Sequence, residues 1–281
     1  MGRLERSWSL AKQSWAVLRG NPKLAVFPVV SSVAILLVTA SFFIPLVAAV
    51  GLKNLEQPPA YAYAVTFAYY LVSYFVVVFF NAALIHCANE ALEGRSAEFG
   101  DGIHAAMSRL GPIIGWSLLS ATIGTILNAI SERLGIVGQI IIGLLGAAWN
   151  IVTFFAVPML VLKGVGPFDA VKGSWATIKK TWGETLIGNA GVSLAVFVMA
   201  IPAVVLIVAT AFTGIAALII GAVALSVLYW AVLAAVGACM NGIYTTAVFS
   251  YAQSGEIPSG FDGETIRQAF TQKPAKKRPW G

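Results

Sequence analysis

Residues 185–255 read TLIGNAGVSLAVFVMAIPAVVLIVATAFTGIAALIIGAVALSVLYWAVLAAVGACMNGIYTTAVFSYAQSG, 71 residues without a formal charge. A membrane-crossing helix needs about 20 predominantly apolar residues. One helix of this length would exceed about 100 Å at 1.5 Å per residue, so the stretch must fold back at least once. Four shorter charge-free runs, 24–52, 57–89, 110–131 and 134–162, each fit one further crossing. Across all 281 residues 58% are apolar and only 11% charged, against about 25% charged in soluble domains. The chain reads as an all-α polytopic membrane protein forming a single membrane domain over 1–281. Its six transmembrane helices are expected near 24–50, 61–88, 111–131, 136–162, 185–208 and 214–251.

The fold-back belongs near 209–214, where Thr213-Gly214 supplies turn chemistry. Asn241-Gly242 is the other candidate, but it would leave only Ile243–Gly255 as a span. Thirteen residues reach about 20 Å, short of a core near 30 Å. From Gly214 to Tyr251 there is no proline, so one helix of about 57 Å is expected, with its excess protruding from the membrane. Lys and Arg set the orientation. With six spans, sixteen of the eighteen fall on the side shared by both termini, and only Lys53 and Arg133 lie opposite. Both termini are therefore expected in the cytoplasm, in a multi-pass cell-membrane protein without a cleaved signal peptide.

The segments between spans repeat. Ser9–Arg19 aligns without gaps with Asp169–Lys179, sharing Lys-x-Ser-Trp-Ala at Lys12–Ala16 and Lys172–Ala176. A second gap-free match joins Ala82–His104 to Ile243–Thr265, pairing Gly94 with Gly255 and Asp101-Gly102 with Asp262-Gly263. The two offsets, 160 and 161, differ by one residue. They define a unit of one amphipathic helix and two spans, present three times in parallel at 3–94, 101–164 and 169–255. A terminal half-repeat and basic tail follow at 262–281. In the first helix Leu4, Trp8, Ala11, Trp15 and Leu18 fall within about 80° of arc. Val171, Trp175, Ile178 and Trp182 form the matching stripe. Asp101, Asp169 and Asp262 precede their helices and read as N-caps.

Chemistry-bearing constellations are sparse. Two cysteines, Cys87 and Cys239, and two histidines, His86 and His104, cannot build a disulfide framework or a three-histidine metal site. His86 and Glu90 share a helix face but lack a third ligand. No phosphate-binding loop, nucleophile elbow or dinucleotide fingerprint occurs, so no enzymatic activity, cofactor or metal is expected. Polar groups within the spans are amides: Asn81, Asn128, Asn150, Asn189 and Asn241, with Gln139. They can pack helices or line a polar path. Pro28, Pro45, Pro158 and Pro202 should bend or end helices. The net charge of +6 lies outside the spans and reads as topology and lipid attraction rather than nucleic-acid binding.

Pro167-x-Asp169-x-x-Lys172 matches the mitochondrial carrier signature once, and carriers need it three times at span ends, so membership there is rejected. The opening Arg3-x-x-Arg6-Ser-Trp8-x-Leu-x-Lys12-x-Ser-Trp15-x-Val-Leu-Arg19, then Lys23-Leu-x-x-Phe27-Pro28-Val-Val-Ser31, resembles an uncharacterised family of prokaryotic six-span membrane proteins. So does the closing Tyr251-Ala-x-x-Gly255-Glu-Ile-Pro258-x-Gly-Phe261. The layout is also loosely similar to the membrane domain accompanying glycerophosphodiester phosphodiesterases. The resemblance implies fold and location without an activity.

Two functions fit these features. The first is a non-enzymatic scaffold that organises lipids or other membrane proteins. Anionic headgroups on the cytoplasmic face would meet Arg3, Arg6, Lys12, Arg19, Lys273, Lys276, Lys277 and Arg278. The second is a transporter or channel component whose polar path follows the pseudo-threefold axis past the five asparagines.

Overall fold

The computed structural model describes residues 3–51, 60–133, 136–181, 185–264 and 266. The described residues are helical, with no strand among them. In chain order come α1 (Arg3–Gly20), a 3-10 turn (Pro22–Ala25), α2 (Val26–Val50), α3 (Ala60–Leu92) and α4 (Phe99–Met107). Next are α5 (Leu110–Arg133), α6 (Ile136–Val152) and α7 (Ala156–Pro158), which continues into a π-helical turn at Met159–Lys163. Last come α8 (Pro167–Thr181), α9 (Thr185–Ala211) and α10 (Ala216–Ser254). By length and composition five helical segments can cross a membrane: Pro22–Ala49, Tyr61–Leu92, Leu110–Ser131, Gly138–Lys163 and Ala216–Ser254. The crossing expected at 185–208 falls on α9, whose described part contains the shorter apolar stretch Ala195–Ala211.

Helix ends follow local chemistry. α3 is followed by Gly94 at φ +76° and α10 by Gly255 at φ +73°. This left-handed conformation suits glycine and closes helices, so the sequence match at these two residues is a match of helix ends. Asp101 and Asp169 occupy a different place from the expected N-cap. Glu98 caps α4, and Asp101, three residues on, accepts the Glu98 backbone N–H at 2.8 Å. In α8, Pro167 takes the first helical position, where its missing N–H costs nothing, and Asp169 again sits third. A carboxylate there still complements the helix dipole. Asp262 does stand at a cap position, since its carbonyl accepts the Ile266 N–H at 3.0 Å.

The chain forms two compact units. One comprises 1–22, 88–95 and 176–281; the other comprises 23–87 and 96–175. In the first, α1 lies against α9 and α10, which also pair with each other. Pro202 interrupts the α9 hydrogen-bond ladder. Around it α10 supplies donors: Tyr229 Oη to the Met199 carbonyl at 2.6 Å, Trp230 Nε1 to Ala200 at 3.2 Å and Ser226 Oγ to Ala203 at 3.3 Å. Where no water is at hand, such donors satisfy exposed carbonyls. The segment after α10 is tied down by backbone bonds from Ser259 N–H to the Leu92 carbonyl (2.8 Å) and from Asp262 N–H to Gln13 Oε1 (3.1 Å).

In the second unit α4 docks on α2 and α3. Phe99 stacks on Phe27 with ring centroids 4.9 Å apart. Gly102 sits so close that an added Cβ would lie 2.6 Å from Phe27, 2.8 Å from Cys87 and 2.9 Å from the Ala83 carbonyl. α5 and α6 are neighbours, joined by stacking of Trp116 on Trp149.

Candidate functional site

The short helices α1, α4 and α8 carry the features that distinguish this chain. Each buries a face of small and aliphatic residues. In α1 these are Leu10, Ala11, Ser14, Val17 and Leu18; in α8 they are Ala170, Ser174, Thr177 and Ile178. Both faces centre on the serine of the shared Lys-x-Ser-Trp-Ala motif. The docked faces lie roughly a quarter turn from the apolar stripes read in the sequence and share Ala11, Leu18 and Ile178 with them. Trp8 and Trp15 remain 47% exposed, and Trp175 is half-buried. Counting hydrophobicity favours the indoles, but small residues let a helix approach its neighbours closely. A fully buried serine marks such a contact better than a tryptophan does.

Ser174 has a definite task. The apolar segment Gly138–Lys163 is not one continuous α-helix, since it breaks at Thr153–Phe155. Pro158 lacks the N–H that would meet the Phe154 carbonyl, and its ring crowds that carbonyl. At the break the Phe155 N–H donates to Ser174 Oγ at 3.0 Å, with both residues fully buried. Gly173, beside it, leaves room for Met159, whose Cε would lie 3.1 Å from an added Cβ. Ser14, the matching residue in α1, is equally buried, yet its hydroxyl makes no hydrogen bond.

The basic residues proposed for lipid contact divide into two groups. Lys12 and Arg19 are exposed on α1, and Lys12 Nζ stands 5.9 Å from the centre of the Trp8 ring. Arg3 and Arg6 belong to α1, but their side chains lie outside the described residues, as do Lys273, Lys276, Lys277 and Arg278. Of the amides, Asn81 and Asn241 are half-buried, while Asn128, Asn150 and Gln139 are exposed on their helices; the Asn189 side chain lies outside the described residues. Asn241 Oδ1 faces Thr245 Oγ1 of its own helix at 3.5 Å.

Carboxylates near the end of α3 are engaged by arginine. Arg95 donates to Glu90 through Nε at 2.5 Å and Nη2 at 2.8 Å, and also pairs with Glu93. These partners bind the guanidinium proton still more tightly than usual. Glu90, which shares a helix face with His86, pairs with Arg95. Among the described residues no group of three metal-ligating side chains comes together. An apolar crevice of about 230 Å³ between α2 and α3 is lined by Phe42, Phe43, Leu46 and Val65, with Thr39 and Tyr69 oxygens 3.2 Å apart. Thr66 is the remaining polar side chain of its wall, and none of its lining residues is a carboxylate, amine, imidazole or thiol.

No curated protein and no solved structure matches the chain. The sequence model of a family of unknown function, DUF6159, matches residues 60–261, which is well over half of the 281 residues. The chain belongs to the DUF6159 family.

Proposed function

We propose that this protein is a non-enzymatic membrane scaffold that gathers anionic lipid against its cytoplasmic face, with six spans and both termini inside the cell. One observation carries this reading: α1 is fastened by one face and presents another made of Trp8, Trp15, Lys12 and Arg19. Indoles beside cations suit the headgroup layer, where the rings take the apolar boundary and the charges take phosphate. The basic tail would add charge on the same side. Three parallel repeats of a docked helix followed by two spans are the architecture we infer. The paired glycine helix ends and the paired serine-centred docking faces support it.

The test is native mass spectrometry of the full-length protein released from nanodiscs of mixed anionic and zwitterionic lipid. Anionic lipid should be retained above its bulk fraction and lost in the double variant Lys12→Ala/Arg19→Ala. Retention at the bulk ratio, unchanged in the variant, would remove the lipid role.

A transport reading has one observation of its own, the break at Thr153–Phe155 held by a buried hydroxyl from another helix. Discontinuous spans of this kind line substrate paths in transporters. Solute or ion flux through proteoliposomes, abolished by Ser174→Ala, would favour this reading over the scaffold.

A further inference from the structure

Gln139, Gly143, Gly146 and Asn150 of α6 recur at spacings of four, three and four, so all four fall within about 60° of one face. The stacking of Trp149 on Trp116, with planes 11° apart, fixes the rotation of α6 within its unit. The stripe lies roughly a quarter turn from that contact. Gln139, Gly143 and Asn150 are exposed, and a Cβ on Gly143 or Gly146 would meet nothing within 4 Å. Asn150 stands at the middle of the apolar segment Gly138–Lys163, near the end of α6 and just before the Thr153–Phe155 break. Neither amide side chain is hydrogen-bonded to another described residue. A carboxamide facing hydrocarbon without a partner is costly, so the face at Asn150 requires a cover that brings a hydrogen-bonding group to that depth, whereas Gln139 lies at the end of the segment.

We propose that the cover is a second copy of the chain, joined through the Gln139–Asn150 face of α6. A carboxamide both donates and accepts, so it complements itself. Two copies inserted in the same sense and related by a two-fold axis along the membrane normal bring each residue to its own counterpart at equal depth. Asn150 then meets Asn150, Gln139 meets Gln139, and the two glycines between them allow close helix approach. Any other partner would need an amide or hydroxyl of its own at the depth of Asn150. This inference stands apart from the lipid-scaffold reading and uses none of the residues that carry it.

The test is energy transfer between donor- and acceptor-labelled full-length protein in phosphatidylcholine–phosphatidylglycerol vesicles, followed as the protein is diluted in lipid. Transfer should fit a dimer. Asn150→Leu should weaken it about three- to thirty-fold, the range set by one interhelical hydrogen bond. Gly146→Ile should weaken it further, and Leu144→Ala should leave it unchanged. A second measurement is independent of those variants. In a Cys87→Ala/Cys239→Ala background, Gly143→Cys should form an oxidised dimer and Leu144→Cys should not. Protein that is monomeric at every dilution, dimers indifferent to Asn150→Leu and Gly146→Ile, or equal crosslinking at 143 and 144 would each overturn the proposal.

Discussion

Ser174 and Ser14 occupy the same place in the same motif and are both fully buried, yet one closes a break in a neighbouring segment and the other makes no hydrogen bond. A small residue at the centre of a docked face is what the two helices share. The hydrogen bond is an addition specific to α8, whose serine accepts the Phe155 N–H at the Thr153–Phe155 break. The other paired residues divide similarly. Gly94 and Gly255 have nearly the same backbone conformation and the same role. Gly102 is enclosed by Phe27, Cys87 and a backbone carbonyl, whereas the three atoms nearest to a Cβ on Gly263 all belong to the Ile257 side chain. Matching letters in a repeat therefore record matching helix geometry, and what each contact is worth depends on its neighbour.

The most severe break in this comparison should come from Gly102→Val. Its first added carbon already falls within 3 Å of three atoms, one of them backbone, and overpacking of this kind costs about 3 kcal/mol or more. Gly263→Ala should cost less than about 1 kcal/mol, because a flexible side-chain end can move aside. Unfolding of the purified protein in nanodiscs measures both, and equal costs would contradict the difference in enclosure. Ser174→Ala comes next. It removes the hydrogen bond that the buried Phe155 N–H gives to Ser174 Oγ, for about 1–3 kcal/mol. Ser14→Ala should stay within about 0.5 kcal/mol, since no bond is lost. If Ser14→Ala proved the more damaging, its hydroxyl would have a partner that this account lacks. The smallest contrast is between Gly94→Ala and Gly255→Ala. Each should cost about 1–2 kcal/mol for a left-handed alanine, and the two should agree closely, with asparagine costing less at both sites.

Much of the helical layout was legible in the spacing of charges, because a run without Lys, Arg, Asp or Glu over 20 residues has few uses outside a bilayer. The turn ahead of α10 was marked by Thr213-Gly214, and Gly214 has φ +67°. Pro158 announced a disturbance near the end of α6. That Ser174 would meet the Phe155 N–H was not legible, since the bond joins two segments whose approach depends on tertiary packing. The docked faces of α1 and α8 were not legible for a related reason. Periodicity weighs side chains by hydrophobicity, so Trp8 and Trp15 outweighed Ser14, while the fold selected the face that allows the closest approach. Asp101 and Asp169 were read three positions early because an acid at the third helical residue and an acid at the cap leave similar traces in sequence.

The central claim is that α1 rests on the bundle by its serine-centred face and enters the headgroup layer by its tryptophan face. Depth-dependent quenching of tryptophan fluorescence by brominated lipids tests this directly, with the full-length protein in nanodiscs compared with its Trp8→Phe/Trp15→Phe variant. The difference between the two isolates the α1 indoles from the remaining tryptophans. The account predicts that this difference is quenched most strongly by bromines at the top of the acyl chains and weakly by those near the bilayer centre. A difference signal untouched by bromines at any depth would place both indoles in water and contradict it.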